Sequence, residues 1–148
     1  MVHYQLNRGI RMGLEGKRIF VVEDNVQNRV IYQMTLIKHG ARLVFDRWGR
    51  DALRSMRGFQ KFDLIILDLM LPDGRSGYDI FKEIRAVPEL ADIPIVAVSA
   101  ADPNAAIPKA QELGFSGFIA KPINVDRFAE QLERVMNGEK VWYAGDEH

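Results

Sequence analysis

Five polar residues that could carry phosphoryl chemistry each follow, or end, a run of apolar sequence. Glu23 and Asp24 come directly after RIFVV, and Asp68 comes directly after DLIIL. Ser99 follows IPIVAV, and Lys121 follows GFIA. A carboxylate at the end of a hydrophobic run is costly to ionise unless something replaces its lost hydration. These positions therefore call for a chemical reason.

The residue types point to metal-assisted phosphoryl transfer. Three carboxylates that lie close together repel one another, and at neutral pH they do not all stay ionised without positive charge nearby. Oxygen ligands without histidine or cysteine favour Mg²⁺, which is commonly shared with phosphate oxygens. Lys121 adds a charge that can neutralise a phosphoryl group, and Ser99 adds a hydroxyl donor. In that setting Asp68 could attack phosphorus and form an aspartyl phosphate.

Each of these residues also has a plainer interpretation when it is taken alone. Glu23 and Asp24 could cap a helix, where carboxylates favour the positive end of the dipole. Asp68 could be an ordinary turn residue, because Asp is common in turns. Ser99 and Lys121 could be solvated loop residues. Only their convergence at one place favours a site.

The elements that would bring them together are short apolar runs, which alternate with helical segments. We expect strands at 18–22, 41–45, 63–67, 93–98 and 117–120. Their continuous apolar character fits a sheet that is covered on both faces. Alternation with helices predicts a doubly wound parallel α/β fold. Because parallel strands end at one edge, where ligands bind, the five polar residues should meet in a single cleft.

Helical periodicity predicts the segments between the strands. The first segment carries an apolar stripe, the kind of face that packs on a sheet, before a stop at Gly40: Val26, Val30, Met34 and Ile37. The last helix is expected to begin at Asn124 as N-cap and to bury its own stripe before Gly138: Val125, Phe128, Leu132 and Val135. Shorter helices fit 49–58, 77–86 and 108–114. Since proline suits a first turn, we expect the fourth helix to be short and to start near Ile107 or Pro108.

Composition excludes several classes of protein. The 148 residues suit one domain, and 20 basic residues balance 20 acidic ones, so nothing points to nucleic acid or a membrane surface as partner. The chain has no cysteine, which excludes disulfides and thiolate metal sites. Without a long apolar run or a secretory signal, we expect a cytoplasmic protein. We assign 18–137 to the domain, 1–17 to an N-terminal extension and 138–148 to a tail, in which Trp142 and Tyr143 are either mobile or docked.

Four segments, in this order and spacing, resemble the receiver domain of two-component response regulators: VVEDN, LIILDLMLP, VAVSAAD and GFIAKPI. The chain looks like a stand-alone, CheY-like receiver over about 18–137. The resemblance implies a flavodoxin-like fold, with five helices and a five-stranded parallel sheet in the order 2-1-3-4-5. It also implies that Asp68 accepts the phosphoryl group.

The resemblance assigns roles to the other site residues. The implied Mg²⁺ ligands are Asp24 directly, Glu23 mainly through water, Asp68, and the backbone carbonyl of Met70. Ser99 would be the switch hydroxyl, Phe118 the switch aromatic and Lys121 the phosphoryl-binding lysine, although Phe118 alone would be read as a core residue. The Lys121–Pro122 peptide is expected to be cis.

The implied function is a phosphorylation switch rather than an enzyme with turnover. The phosphodonor would be a histidine kinase or a histidine phosphotransfer protein. The output would be contact with a downstream protein, with homodimerisation through the fourth helix, fifth strand and fifth helix as one arrangement. A dehalogenase-type phosphatase is disfavoured because it needs a second Asp where Met70 stands, and no P-loop is present. A phosphorylation-independent binding module, and a receiver cut from a longer hybrid kinase or regulator, remain open.

Two departures from the family pattern carry expectations of their own. The loop after Asp68 is one residue longer than usual and includes Gly74, Arg75 and Ser76. Met70 and Ala101 each lie two residues after a site residue, and neither can orient an attacking water. We therefore expect slow self-dephosphorylation.

Overall fold

The apolar runs form a parallel sheet in the computed structural model, which describes residues 13–48, 52–58, 61–72 and 74–146. The strands are β1 Arg18–Val22, β2 Arg42–Asp46, β3 Leu64–Leu67, β4 Ile95–Ser99, β5 Gly117–Ala120 and β6 Val141–Tyr143. Their order in the sheet is β2-β1-β3-β4-β5-β6, and every neighbouring pair is parallel. The doubly wound α/β arrangement is confirmed.

Helices cover both faces of this sheet. They are α1 Val26–Leu36, α2 Ala52–Gly58, α3 Gly77–Arg85, α4 Pro103–Leu113 and α5 Phe128–Met136, with short 3₁₀ turns at Ile37–His39 and Pro88–Leu90. Phe20 and Val22 of β1 share a core with α2, α3 and α4, whereas Ile19 and Val21 share the other core with α1 and α5. This alternation along the strand explains why the central strands read as continuous apolar runs.

The expectation of five strands is wrong, because β6 adds a sixth within the described residues. After α5 the chain turns back at Gly138 (φ 96°) and runs beside β5, where Trp142 lies opposite Phe118. A Cβ on Gly117 would lie 2.5 Å from the carbonyl oxygen of Val141, so this close approach requires glycine. Three residues are too few to show a strand pattern in the sequence, although all three types favour strands. The docked alternative for the tail aromatics is the one observed.

The apolar stripe expected to face the core from α1 instead faces outward. Val26, Val30, Met34 and Ile37 are 65%, 44%, 69% and 52% exposed, whereas Tyr32, Thr35 and Leu36 are buried. Tyr32 packs against Phe128 of α5, with the ring centroids 5.8 Å apart. The helix has two faces with apolar residues, and the face with the larger Tyr32 and Leu36 packs on the sheet.

Two helix boundaries also differ from expectation. Helix α4 begins at Pro103, capped by Asp102, and contains Pro108 in its interior. Ala106 and Ala110 pack in the core, which holds the helix together although Pro108 provides no N–H. Helix α5 begins only at Phe128, because Asn124 starts a turn in which its side chain accepts from the backbone N–H of Asp126.

The two ends of the described chain both pack on the domain. Leu14 is 1% exposed and belongs to the core shared by α1 and α5, so the last part of the expected extension is ordered against the sheet. Residues 1–12 and 147–148 lie outside the described residues, as do 49–51 of the expected second helix. None of the described helices has the length and apolar character that crossing a bilayer would require.

Candidate functional site

The strand ends place the candidate residues around one cleft. Glu23 and Asp24 follow β1, Asp68 follows β3, Ser99 ends β4 and Lys121 follows β5. All of these positions lie at the carboxyl edge of the parallel sheet. Four of the five side chains line the same open cleft, whereas Ser99 is buried and does not line it. The strand-end argument therefore placed four of the five side chains at one cleft, and only Ser99 does not line it.

Lys121 binds two of the three carboxylates at once. Its Nζ donates to Glu23 Oε1 at 3.0 Å and to Asp68 Oδ2 at 3.1 Å. The side chains of Lys121, Glu23 and Asp68 are only 13%, 3% and 11% exposed. Ion pairs so shielded from water interact more strongly than surface pairs, and each partner leaves a costly charge if the other is removed.

The Asp68 carboxylate is oriented from both sides. Oδ1 accepts from the backbone N–H of Met70 at 3.0 Å, while Oδ2 accepts from Lys121. The loop then folds back under the site, where a Cβ on Gly77 would lie 2.4 Å from the Asp68 carbonyl oxygen. Ser76 caps α3 by accepting from the N–H of Asp79. Gly77 at the end of this loop thus permits the first turn of α3 to approach the strand end.

Asp24 faces a different cation. Arg47, the residue after β2, places its Nε 3.5 Å from Asp24 Oδ1, with side chains 69% and 41% exposed. Sequence reasoning missed Arg47. The same strand-end argument, applied to β2, would have placed it at this edge of the sheet.

Ser99 and Phe118 are both fully buried in this state. Ser99 Oγ accepts from the backbone N–H of Ala101 at 3.1 Å, and the carbonyl of Ser99 accepts from the N–H of Lys121 at 2.9 Å. Phe118 lies in the core between the sheet and α4. The Lys121–Pro122 peptide is cis.

Tyr32 is a second residue near the site that sequence reasoning missed. It is fully buried, and its hydroxyl has no hydrogen-bond partner among the described residues. Burial, and then the negative charges of Glu23 and Asp68, raise the pKa of Tyr32 well above its usual value. A tyrosine in a helix gives no sequence signal of this, because its buried face depends on how α1 packs.

The oxygen ligands around the cleft fit Mg²⁺, although the three carboxylates do not lie together at one point. Carboxylate oxygens and a backbone carbonyl without histidine or cysteine are the ligands that Mg²⁺ prefers. Within the described ranges, no three His, Cys, Asp or Glu side chains are gathered as a ready-made metal site. The ion pairs explain this: Glu23 and Asp68 are turned to Lys121, and Asp24 is turned to Arg47.

Comparisons with known proteins agree on one family. The protein-family model described as the response regulator receiver domain matches residues 19–133. The chain is 32% identical over 117 residues to the polar-differentiation response regulator DivK of Brucella ovis, covering 79% of this chain and 94% of DivK. A solved receiver domain of a sensor histidine kinase from Pseudomonas aeruginosa PAO1, with a magnesium ion coordinated in its active site cleft, is 29% identical (TM-score 0.71, covering 83% of this chain and 99% of that one). The chemotaxis response regulator CheY4 of Vibrio cholerae is 25% identical (TM-score 0.69, covering 80% and 98%).

Proposed function

The chain belongs to the response regulator receiver domain family, and we propose that it accepts a phosphoryl group on Asp68 within a two-component system or phosphorelay. One observation carries this proposal. The carboxylate of Asp68 lies at an open cleft, fixed by the Met70 N–H and 3.1 Å from the ammonium of Lys121. A nucleophile beside a positive charge that can balance phosphoryl oxygens is the arrangement that the transfer needs.

In the proposed reaction the phosphodonor is a phosphohistidine of a kinase or phosphotransfer protein. A carboxylate oxygen of Asp68 forms a bond to phosphorus as the P–N bond of the donor breaks, and the imidazole leaves with a proton. Lys121 stays beside the group and balances the charge on its oxygens. No outside substrate is turned over, because Met70 stands where a phosphatase of the aspartyl-phosphate type needs its general acid.

Glu23, Asp24, Asp68 and the carbonyl of Met70 would hold Mg²⁺ in this proposal. All four residues line the cleft. When bound, the ion would neutralise the carboxylates and offset the negative charge of the phosphoryl group. A magnesium ion in the cleft of the Pseudomonas receiver domain supports this assignment.

The proposed switch uses Ser99 and Phe118. The phosphoryl group would draw the Ser99 hydroxyl away from the Ala101 N–H, and Phe118 would move with it. Trp142 of β6 lies opposite Phe118 on the same face of the sheet, so a partner on this side, including a second copy of the chain, meets β6 first. We therefore propose α4, β6 and α5 as the output surface, with β6 in the position expected for the edge of β5.

An exposed apolar surface beside the cleft supports a protein phosphodonor. We define the α1 patch as Val26, Val30, Ile31, Met34 and Ile37 with Val125, which are 37–69% exposed. It begins directly after Asn25, which lines the cleft. A protein that presents an imidazole to Asp68 must cover this rim, and an apolar patch of this kind is typical of an interaction site. We therefore assign the patch to the phosphodonor.

Labelling by a small-molecule donor tests the proposed acceptor. The protein is incubated with Mg²⁺ and acetyl phosphate, and intact mass is measured for the wild type, Asp68→Asn and the control Asp79→Asn, whose exposed carboxylate lies on α3. We expect the mass of one phosphoryl group on the wild type and on the control, and none on Asp68→Asn. No gain on any of the three would refute the phosphorylation switch and leave a binding module that uses the α1 patch.

The docking assignment is tested with the same label. Met34→Ser is expected to take up phosphate from acetyl phosphate at the wild-type rate. It should be labelled more slowly by a phosphorylated histidine protein that transfers to the wild type. Equal rates from the protein donor would contradict the assignment of the patch.

A further inference from the structure

Arg47 lies where it can compete with a metal ion for Asp24. We infer that Arg47 is a tethered counter-ion that lowers the Mg²⁺ affinity of the cleft, and that Mg²⁺ binding requires Asp24 to turn away from it. This inference rests on the proposed function, because it concerns the same cleft. It goes beyond that function in giving a role to a residue outside the family's motifs.

The segment that carries Arg47 is fixed by the next residue, Trp48. Trp48 is 2% exposed and has a φ of 63°, a left-handed conformation that non-glycine residues adopt mainly where their surroundings enforce it. Its backbone N–H donates to Asp46, and its carbonyl accepts from Arg75 Nη1 at 2.6 Å. Its indole N–H donates to Glu83 Oε1 at 3.2 Å. Arg47 therefore extends from a rigid base beside Asp24.

Arg75 connects this base to the extended loop after Asp68. Its Arg75 donates to the carbonyl of Trp48. This hydrogen bond links the loop after β3 to the loop after β2. In our inference this link keeps Arg47 at the rim of the cleft.

The charges of the cleft explain why the pair affects metal binding. Among the described residues, Lys121 holds Glu23 and Asp68, and Arg47 holds Asp24. Since the three carboxylates are not gathered, a metal ion has to separate Asp24 from Arg47 before it can use that ligand. The affinity is then reduced by the strength of an exposed ion pair, about two- to fivefold. The repulsion between Arg47 and the ion acts in the same direction.

Mg²⁺ titrations followed by amide chemical shifts test the inference without any phosphorylation. The reporters are the backbone amides of Asp24 and Met70, and the variants are Arg47→Gln, Arg47→Lys and the control Arg57→Gln. Arg57 forms an ion pair with Glu89 of the same 3.5 Å length. It lies in the last turn of α2, which leads into the amino end of β3, whereas the cleft lies at the carboxyl ends of the strands. The control therefore removes the same charge and the same kind of contact away from the cleft.

We expect Arg47→Gln to lower the Mg²⁺ dissociation constant about two- to fivefold, Arg47→Lys to lower it less, and Arg57→Gln to leave it unchanged. The difference should shrink at high salt, because the pair is exposed. Arg75→Gln should act in the same direction as Arg47→Gln, because it frees the carbonyl of Trp48.

Four results would overturn the inference or one part of it. If Arg47→Gln binds Mg²⁺ no more tightly than the wild type, Arg47 does not compete. If Arg57→Gln gives an equal increase, the effect is one of net charge. An unchanged affinity in Arg75→Gln would refute the role of the loop. If Mg²⁺ shifts neither reporter amide in the wild type, the proposed metal site itself is wrong, and the inference falls with it.

Discussion

Removing Lys121 should destabilise the metal-free protein far more than removing another lysine. In Lys121→Met, the carboxylates of Glu23 and Asp68 lose their shared cation, at contacts of 3.0 Å and 3.1 Å. Each contact corresponds to about 5 kcal/mol of Coulomb energy at an effective dielectric constant near 20. Most of that is offset by the hydration that the two freed carboxylates regain. Removing one partner of a buried pair typically costs about 3–5 kcal/mol.

We expect the lower end, about 3 kcal/mol, because the cleft is open and the freed carboxylates can bind water. Urea unfolding in EDTA measures the effect, and with a slope of about 1–3 kcal/mol per molar the midpoint should fall by roughly 1–3 M. Lys140→Met, at an exposed position, controls for the loss of a surface lysine. Mg²⁺ should stabilise Lys121→Met more than the wild type, because it replaces the missing charge.

A second variant separates the electrostatic cause from a packing defect. Glu23→Gln in the Lys121→Met background removes one of the two unpaired charges, so the double variant should be more stable than Lys121→Met. If Lys121→Met unfolds in EDTA at the same urea concentration as Lys140→Met, the bridging role of Lys121 is refuted. If Glu23→Gln restores nothing, unpaired charge is not the cause.

Three further predictions follow from single features. Tyr32→Phe removes a buried hydroxyl without a partner, so it should raise the free energy of unfolding by about 1 kcal/mol at neutral pH; a loss of stability would contradict this. Because burial raises the pKa of Tyr32 in the folded state, the folded chain keeps the phenol proton at pH values where the unfolded chain releases it, so the free energy of unfolding is independent of this group below pH 10 and falls as pH rises further. Wild type should therefore lose stability there by up to about 1.4 kcal/mol per pH unit more than Tyr32→Phe. Gly117→Ala should force β6 away from β5, with about 1–3 kcal/mol of destabilisation and faster amide exchange at 141–143. Gly58→Ala, where a Cβ meets nothing within 4 Å, should have no such effect, and equal exchange in the two variants would count against the contact. Phosphorylated wild type should keep its label for much longer than seconds in Mg²⁺ buffer, and Met70→Asn, which can hold a water, should lose it faster; equal rates would exclude Met70 as the cause.

The sequence predicted the site better than its surroundings. Strand ends are fixed by short β-branched runs, and the parallel arrangement brings Asp68 and Lys121 to one edge whatever the details of packing. The outward face of α1 could not be predicted in this way. Val26, Val30 and Met34 form an apolar stripe as regular as any core face, and only the competing packing of Tyr32 and Leu36 decides which face is buried.

Contacts between segments that are far apart in the sequence were also not predicted. Strand β6 has three residues, too few for a periodic signal, and its place beside β5 depends on the space above Gly117. The pairing of Arg47 with Asp24 depends on the left-handed backbone of Trp48 and on Arg75 from another loop. Such features arise from tertiary structure, and the local sequence pattern does not indicate them.

The most direct test of the central claim is to locate the phosphoryl group chemically. The protein is labelled with acetyl phosphate and Mg²⁺, reduced with borohydride, which converts an aspartyl phosphate to homoserine, and then sequenced by tandem mass spectrometry. Our account predicts homoserine at position 68, and none in unlabelled protein or in Asp68→Asn. Homoserine at Asp24 instead, or at no position in protein that has gained the phosphoryl mass, would contradict it.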